Sequence, residues 1–228
     1  MSKHIVVVGA SRGIGAALVK QYAQNPDHTV YAFARNIDRM NSLFTEKNVQ
    51  CFQLDLASNI KEQFDQFSDK LPKIDVLIEN AGFLVNKPFT ELSHEDISTS
   101  YQVNVIGVME NIQCFLPKLN PEGSHIVNIS SMGGFQGSMK FAGLAAYSTS
   151  KAALCSFTEL FAEEYKETTI KMNCLCLGAV QTEMLEQAFP GYQAPLSPAQ
   201  MATFIEDFSL NAHRYLNGKI IPVSLTNP

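Results

Sequence analysis

Several things are scarce in this chain of 228 residues, and each scarcity removes a class of function. No apolar run approaches the roughly 20 residues needed to cross a bilayer as a helix. Only four residues precede the apolar stretch Ile5-Val6-Val7-Val8, which leaves no room for a signal peptide, so a soluble, cytoplasmic protein is expected. The net charge of -5 gives no reason to expect nucleic acid or an anionic membrane as partner. The five cysteines are an odd number, and none falls into a zinc-ligand spacing. Cys174 and Cys176 flank Leu175 in an apolar strand and are expected to face one buried side as reduced core residues, with no metal. Internal repeats, low-complexity tracts and linkers are also lacking. With 46% hydrophobic and 17% charged residues, the chain reads as one globular domain over residues 1–228.

What is present is a regular alternation of strand and helix patterns. Strands are expected at Ile5–Val8, Thr29–Phe33, Val49–Leu54, Ile74–Ile78, Ser124–Ser130 and Ile170–Leu177, with a short seventh at Lys219–Ser224. Helices are expected from about Gly13 to Gln24, after an Asn36 cap, from about Ser58 to Asp69, and from a Ser93 cap to near Pro117. A further helix over residues 145–165 would place Leu154, Phe157, Leu160 and Phe161 on its core-facing stripe. Continuous apolar strands separated by helices imply a parallel sheet covered on both faces. The fold class is therefore α/β, a single doubly wound Rossmann-type domain with a parallel sheet of about seven strands. Pro222 suits only an edge strand.

Gly9-Ala10-Ser11-Arg12-Gly13-Ile14-Gly15 joins the first strand to the first helix. Gly9 permits a tight turn, Gly13 and Gly15 permit close approach of backbone and pyrophosphate, and the helix start presents unpaired N–H groups to an anion. A site for NAD expects an acid at the end of the second strand. The chain has Ala34 and Arg35 there, with Arg12 in the glycine loop, and two guanidiniums suit the 2′-phosphate of NADP(H). Asp38 is explained as a first-turn helix residue. Asp55 ends the third strand, either as a turn residue or as an acceptor for the adenine amino group. Asn80-Ala81-Gly82 ends the fourth strand and leaves space beside a cofactor.

Tyr147 and Lys151 lie one helical turn apart on one face, and a nearby positive charge favours the phenolate. Such a pair can exchange protons near neutral pH. Asn104 lies among Ile97, Tyr101, Val105, Val108, Ile112 and Phe115, and an amide on that apolar stripe needs partners. Ser130 and Ser131 end the fifth strand at the sheet edge where ligands bind in such folds.

Taken in order, Gly-Ala-Ser-Arg-Gly-Ile-Gly, Asp55, Asn80-Ala81-Gly82, Asn104, Ser131, Tyr147-x-x-x-Lys151 and Gly178-x-x-x-Thr182 resemble the single-domain, NADP-preferring branch of the short-chain dehydrogenase/reductase family, over roughly residues 4–225. The resemblance implies that Tyr147 is the acid/base toward a carbonyl or alcohol, and that Lys151 lowers its pKa and binds the nicotinamide ribose. It implies that Ser131 hydrogen-bonds the reacting oxygen and that Asn104 holds a water linking Lys151 to solvent. The implied cofactor contacts are Gly9, Ser11, Arg12, Gly13, Ile14, Gly15, Arg35, Asp55, Leu56, Asn80, Ala81, Gly82, Tyr147, Lys151, Gly178, Val180 and Thr182. A homo-oligomer, dimer or tetramer, is the family's common state.

The chain departs from the family pattern in three places. Leu177 stands where the family usually has Pro. Fifteen residues separate Ser131 from Tyr147, which either moves the serine role to Ser130 or adds a loop, Gly133 to Gly143, over the site. The usual Asp-Gly-Gly ending is replaced by Val223-Ser224-Leu225-Thr226-Asn227-Pro228. The stretch 183–197, with Phe83, Met132, Phe135 and Phe141 on other loops, is expected to build a fairly apolar substrate pocket, about half of these aromatic and apolar side chains serving only to seal the loops. The expected activity is an NADP(H)-dependent interconversion of carbonyl and alcohol on a small-molecule substrate. The competing class is a non-catalytic NADP(H)-binding sensor on the same fold, which would have no use for the Asn104, Ser131, Tyr147 and Lys151 set.

Overall fold

The computed structural model describes residues 2–225. Met1 and the last three residues of the unusual ending, Thr226, Asn227 and Pro228, lie outside the described residues. Along the chain run β1 (Lys3–Val8), α1 (Gly13–Ala23), β2 (His28–Ala34), α2 (Ile37–Leu43), β3 (Val49–Gln53), α3 (Ile60–Asp65), β4 (Val76–Glu79), α4 (His94–Tyr101) and α5 (Gly107–Phe115). They are followed by β5 (Ser124–Ser131), α6 (Ala145–Glu164), β6 (Ile170–Leu177), α7 (Glu183–Ala188), α8 (Pro198–Asn211) and β7 (Ile220–Val223).

All seven strands pair in parallel, in the order β3-β2-β1-β4-β5-β6-β7. The chain winds outward from β1 to β3 and then returns to place β4 on the other side of β1. The direction of winding thus reverses between β1 and β4, where loops diverge and leave a crevice at the carboxyl ends of the strands. Both sheet faces are covered, as the unbroken apolar strands require. In β1, Ile5 and Val7 join the core under α1 and α8, while Val6 and Val8 join the core under α3, α5 and α6. On that second face Phe33 meets Phe115 edge-on at 5.8 Å and stacks on Phe52 at 5.2 Å. β7 is the edge strand, with Pro222 opposite Cys176, so its missing N–H removes no bond from the sheet interior.

Local chemistry sets the helix starts. Asn36 Oδ1 accepts from Arg39 N at 2.8 Å, and Ser93 and Asp96 form a reciprocal capping box. The expected Ser58–Asp69 helix is shorter than its pattern, because Asn59 caps it and the chain tightens into a 3-10 turn at Ser68–Lys70. The expected long helix from Ser93 to Pro117 is interrupted by a π-helical turn at Gln102–Ile106, between α4 and α5. Directly after it, a β-carbon on Gly107 would stand 2.4 Å from Leu56 O, so the helix passes closer to the β3 end than any side chain allows. Leu160 does not join the core stripe and is 68% exposed, whereas Leu154 and Phe161 are buried. Six residues past Leu154 on a 3.6-residue helix is about a third of a turn away from the buried line.

The glycine turn has a packing role as well as an opening role. A β-carbon on Gly15 would lie 2.1 Å from Gly9 O and 2.6 Å from Asn80 Nδ2, so Gly15 is where α1 presses onto the β1 and β4 ends. Gly15→Ala is therefore expected to destabilise the fold by about 2 kcal/mol or more through overpacking. A urea unfolding midpoint equal to wild type would show instead that α1 can back away from the turn.

Candidate active site

The crevice between the β1 and β4 ends opens into a groove of about 540 Å3. At its centre α1 begins with Arg12, whose backbone is extended and whose side chain caps nothing, so the first N–H groups of α1 are left free. Gly9 (φ +84°) turns the chain away from β1, and a β-carbon there would stand 2.6 Å from the Ala81 backbone. Gly13 (φ +54°) faces the Thr182 methyl, at 3.2 Å from where its β-carbon would be. Asn80 Nδ2 donates to Gly9 O at 3.0 Å and ties the two strand ends together. These features make a cradle of backbone donors walled by small residues, the shape a pyrophosphate needs.

At one end of the groove lie Arg12, Arg35 and Asp55. Neither Arg12 nor Arg35 has an ion-pair partner among the described residues. Arg39 stands beside them, donating from Nε to Ser11 O at 2.8 Å and lying 3.5 Å from Glu183 Oε1 of α7. Asp55 Oδ1 accepts from Ala57 N at 3.0 Å, so it serves as a turn residue while its carboxylate still borders the groove.

At the other end the β5 and α6 residues meet. Lys151 Nζ donates to Ile129 O at 2.8 Å, and Ser130 Oγ donates to Lys151 O at 2.9 Å. Burial draws the Lys151 ammonium down to about 8. The Tyr147 phenol is raised by its burial, and a hydrogen bond with the Ser131 hydroxyl pulls it back down. The net direction for the phenol is up, and the Lys151 ammonium is turned toward the Ile129 carbonyl. Of the two candidate serines, Ser130 is spent on the helix backbone and Ser131 faces the phenol.

Asn104 is fully buried: its Oδ1 accepts from Phe83 N at 2.8 Å and its Nδ2 donates to Phe83 O and Ser150 Oγ, both at 2.9 Å. A β-carbon built on Gly82 would lie 3.5 Å from both Asn104 Oδ1 and Lys151 Nζ, so the two groups border one small space over Gly82.

The walls come from the segment after β4 and from α7. Residues 132–144 do not drape over the groove; Lys140 Nζ donates to Gly133 O (3.0 Å) and Phe135 O (2.6 Å), folding the loop on itself. Met132 and Phe135 pack inward beside Cys155, and Phe141 is exposed, so of the four apolar loop residues only Phe83 lines the groove. The stretch after Thr182 is a short helix, with Met184, Gln187 and Ala188 of α7 along the groove.

Comparison with known proteins bears on this geometry. The family profile for short chain dehydrogenase matches residues 3–193. The chain belongs to the short-chain dehydrogenase family. It is 29% identical over 205 residues to an uncharacterized oxidoreductase of Staphylococcus epidermidis, covering 88% of this chain and 87% of the other. It is 30% identical to carbonyl reductase family member 4 of Xenopus laevis, covering 81% and 78%. A short chain dehydrogenase from Escherichia coli, determined in complex with NADPH, superposes with a TM-score of 0.87 at 28% identity over 96% of this chain and 95% of that one.

In this short-chain dehydrogenase, the groove gathers Gly9, Ser11, Arg12, Gly13, Ile14, Arg35, Asp55, Leu56, Asn80, Ala81, Gly82, Lys151 and Thr182 along its lining. Gly15, Tyr147, Gly178 and Val180 are not on that lining. Gly15 packs against Gly9, Gly178 is pressed against Ser224, and Val180 is buried and bridged to Leu196. Leu177, in the place of the family's Pro, is a buried strand residue on the groove floor, and the next N–H, of Gly178, donates to Val223 O at 2.8 Å.

Three features went unread in the sequence: Arg39, the meeting of Cys155 with Cys174 and Cys176, and Glu79. Arg39 could have been suspected from its place one turn after Arg35. Glu79, at the end of β4, is 1% exposed and accepts from Asn111 Nδ2 at 2.6 Å. Its other oxygen, and the amide oxygens of Asn111 and Asn128, have no hydrogen-bond partner among the described residues. Burial pushes the Glu79 carboxyl up to about 8, so at neutral pH it is largely a neutral acid with a proton to donate. A folded-state value raised above the unfolded one means that the native state holds the extra proton, and stability is lost as pH rises from about 4.5 through about 8. Glu79→Gln should erase that slope. It should unfold like wild type near pH 4.5 and gain relative stability toward pH 8, at about 1.4 kcal/mol per unit of pKa difference. Parallel stability–pH curves for the two proteins would show that Glu79 is not protonated in the fold.

Proposed function

We propose that this chain is an NADP(H)-dependent oxidoreductase that interconverts a carbonyl and an alcohol on a small, fairly apolar substrate, with Tyr147 as acid/base and residues 1–228 acting as one catalytic unit. The observation that carries this reading is the contact of the Ser131 and Tyr147 hydroxyls, one helical turn from buried Lys151, which itself lines a groove whose far end holds two unpaired guanidiniums. The NADPH bound to the Escherichia coli relative supports the choice of cofactor.

The free N–H groups of α1 and the small residues Gly9, Gly13 and Ala81 would hold the pyrophosphate. Arg12 and Arg35 would fork onto the 2′-phosphate, as their freedom from other ion pairs allows. The nicotinamide, when bound, supplies or takes the hydride. In the reducing direction Ser131 Oγ–H donates a hydrogen bond to the substrate oxygen and Tyr147 transfers its phenolic proton to that same oxygen. The phenolate left behind recovers its proton through Lys151 and a water in the space over Gly82, beside Asn104. An ammonium drawn down to about 8 releases and regains a proton readily near neutral pH. In the oxidising direction each proton moves the opposite way. The substrate would be held against Phe83, Met184 and Ala188.

Oxidation of NADPH and NADH by the purified protein against a panel of ketones and aldehydes tests the chemistry. Tyr147→Phe is expected to lower turnover by about 10²–10⁴-fold, the usual range for a lost general acid. Equal turnover in wild type and Tyr147→Phe on every consumed substrate would remove Tyr147 from the mechanism. For cofactor choice, the double variant Arg12→Ala/Arg35→Ala should weaken NADPH binding by about 10²–10⁴-fold while changing NADH binding little, since each of the two lost bonds to a charged group is worth about 1.5–3 kcal/mol. Equal losses for the two cofactors would refute the 2′-phosphate assignment.

A further inference from the structure

Directly beneath the Ser130–Lys151 contact lies a second cluster of reactive side chains that the proposed chemistry does not use. Cys155 comes from α6, one turn past Lys151, and Cys174 and Cys176 come from one face of β6. Cys155 Sγ stands 3.5 Å from Cys176 Sγ and 3.9 Å from Cys174 Sγ, and all three sulfurs lie within 4.8 Å of one another. No disulfide forms among them. With Met132 they make a small core of their own, separate from the two large ones.

We infer that Cys155, Cys174 and Cys176 form a three-thiolate site for a soft monovalent cation, Cu(I) in preference to Zn2+. The spacing is the first argument. A metal about 2.3 Å from three sulfurs in a trigonal plane holds those sulfurs about 4.0 Å apart, so the trio needs only small side-chain adjustments to close on an ion. The donor set is the second. Thiolates select soft cations, and Zn2+ in a structural site takes four ligands. Here no imidazole or carboxylate joins the three sulfurs, and Ser130 Oγ, 3.5 Å from Cys155 Sγ, is already donating to the Lys151 carbonyl. Charge is the third. Three thiolates and one monovalent cation leave two negative charges in the core, and the ammonium of Lys151, one helical turn before Cys155, offsets one of them. The cluster lies near the surface: Cys155 and Met132 each keep 8% exposure, and the residues Phe135 and Ile220 packed against it are only partly buried.

Binding releases the thiol protons to solvent as the three metal–sulfur bonds form, with no change of oxidation state. Because Cys155 touches Ser130, and Ser130 holds the Lys151 carbonyl, occupancy would shift the proton-handling end of the groove and slow turnover.

The test is anaerobic titration of the reduced protein with Cu(I), read by thiolate-to-copper charge-transfer absorption and by competition with a Cu(I) chelator. Wild type and the Cys51→Ala/Cys114→Ala variant are expected to bind one Cu(I) per chain with equal affinity, and Zn2+ far more weakly. Cys155→Ala and Cys174→Ala, each checked for native circular dichroism, should bind Cu(I) more weakly by over 100-fold, beyond the roughly 10- to 100-fold cost of disturbing a group behind a ligand. Should the buried variants fail to fold, the comparison of wild type with Cys51→Ala/Cys114→Ala still decides. Absence of the band in wild type, or its loss in Cys51→Ala/Cys114→Ala, overturns the site, as does a band retained in a folded Cys155→Ala. All of these readings are independent of whether the protein turns over any carbonyl.

Discussion

The structure hangs on a reciprocal clasp between β5 and α6. Lys151 Nζ reaches back to Ile129 O, and Ser130 Oγ reaches forward to Lys151 O, so a side chain from each element holds the backbone of the other. An ammonium buried against a single carbonyl is poorly compensated, which is why burial draws it down to about 8. The clasp also needs the chain after β5 to pass very close to the helix. A β-carbon on Gly134 would stand 2.6 Å from the Lys151 carbonyl carbon, so glycine is required there. Once α6 is fixed by this contact and by burial of Leu154 and Phe161, Tyr147 lies one turn earlier and must face Ser131.

A seam of buried polar groups extends from the clasp between the sheet and the α5 and α6 helices. Asn104 joins the Phe83 backbone to Ser150, Asn111 holds Glu79, and Asn128 donates to Thr158 Oγ1 at 2.9 Å. Buried polar groups of this kind cost stability unless they are satisfied, and several oxygens in the seam are not. The compensation is positional. The π-helical turn at Gln102–Ile106 breaks the regular helix and carries Asn104 at its centre, where its amide can grip both atoms of the Phe83 peptide environment. A regular helix would satisfy its backbone better but would not present Asn104 in this place by the same path.

Where sequence pattern and local chemistry agreed, the fold was legible. The Ile170–Leu177 strand has the bounds its apolar run suggested, and Asn36 and Ser93 cap the helices that follow them. Periodicity failed where a tertiary contact overrode it, as at the π-helical turn imposed beside Leu56. It also failed at Leu160, whose apolar character alone placed it inward. The groove was legible because glycines, strand ends and the Tyr147–Lys151 turn are local signals. The division of labour between Ser130 and Ser131 was not, since neighbouring residues at a strand end differ only in which way the chain turns next. Arg39 and the sulfur trio were hidden for a related reason. Arg39 meets Ser11 and Glu183 across 28 and 144 residues of chain, and Cys155 meets Cys176 across 21, which no spacing motif records.

The walls of the groove obey a different logic from its floor. The floor is made of strand ends and a helix start, whose backbone bonds fix them. The walls are held to their neighbours by a few hydrogen bonds. Asn86 Nδ2 donates to Ala188 O of α7 at 2.8 Å, and the next residue's N–H, of Lys87, donates to Gly143 O at 3.0 Å, so the 83–87 loop joins α7 to the 132–144 loop. A β-carbon on Gly143 would fall 2.0 Å from Asn86 Oδ1, which makes this junction as tight as the clasp below it. Across the groove, Arg39 and Glu183 join the α2 start to α7 by a half-exposed ion pair, a weak contact in water. A ligand phosphate near Arg39 would compete directly with Glu183 for it. The residues of the β5–α6 clasp therefore sit on elements held by backbone bonds, while α2 and α7 are joined across the groove by a contact a ligand can exchange. On the proposed function, that arrangement would leave the choice of substrate to a few side chains of the groove walls.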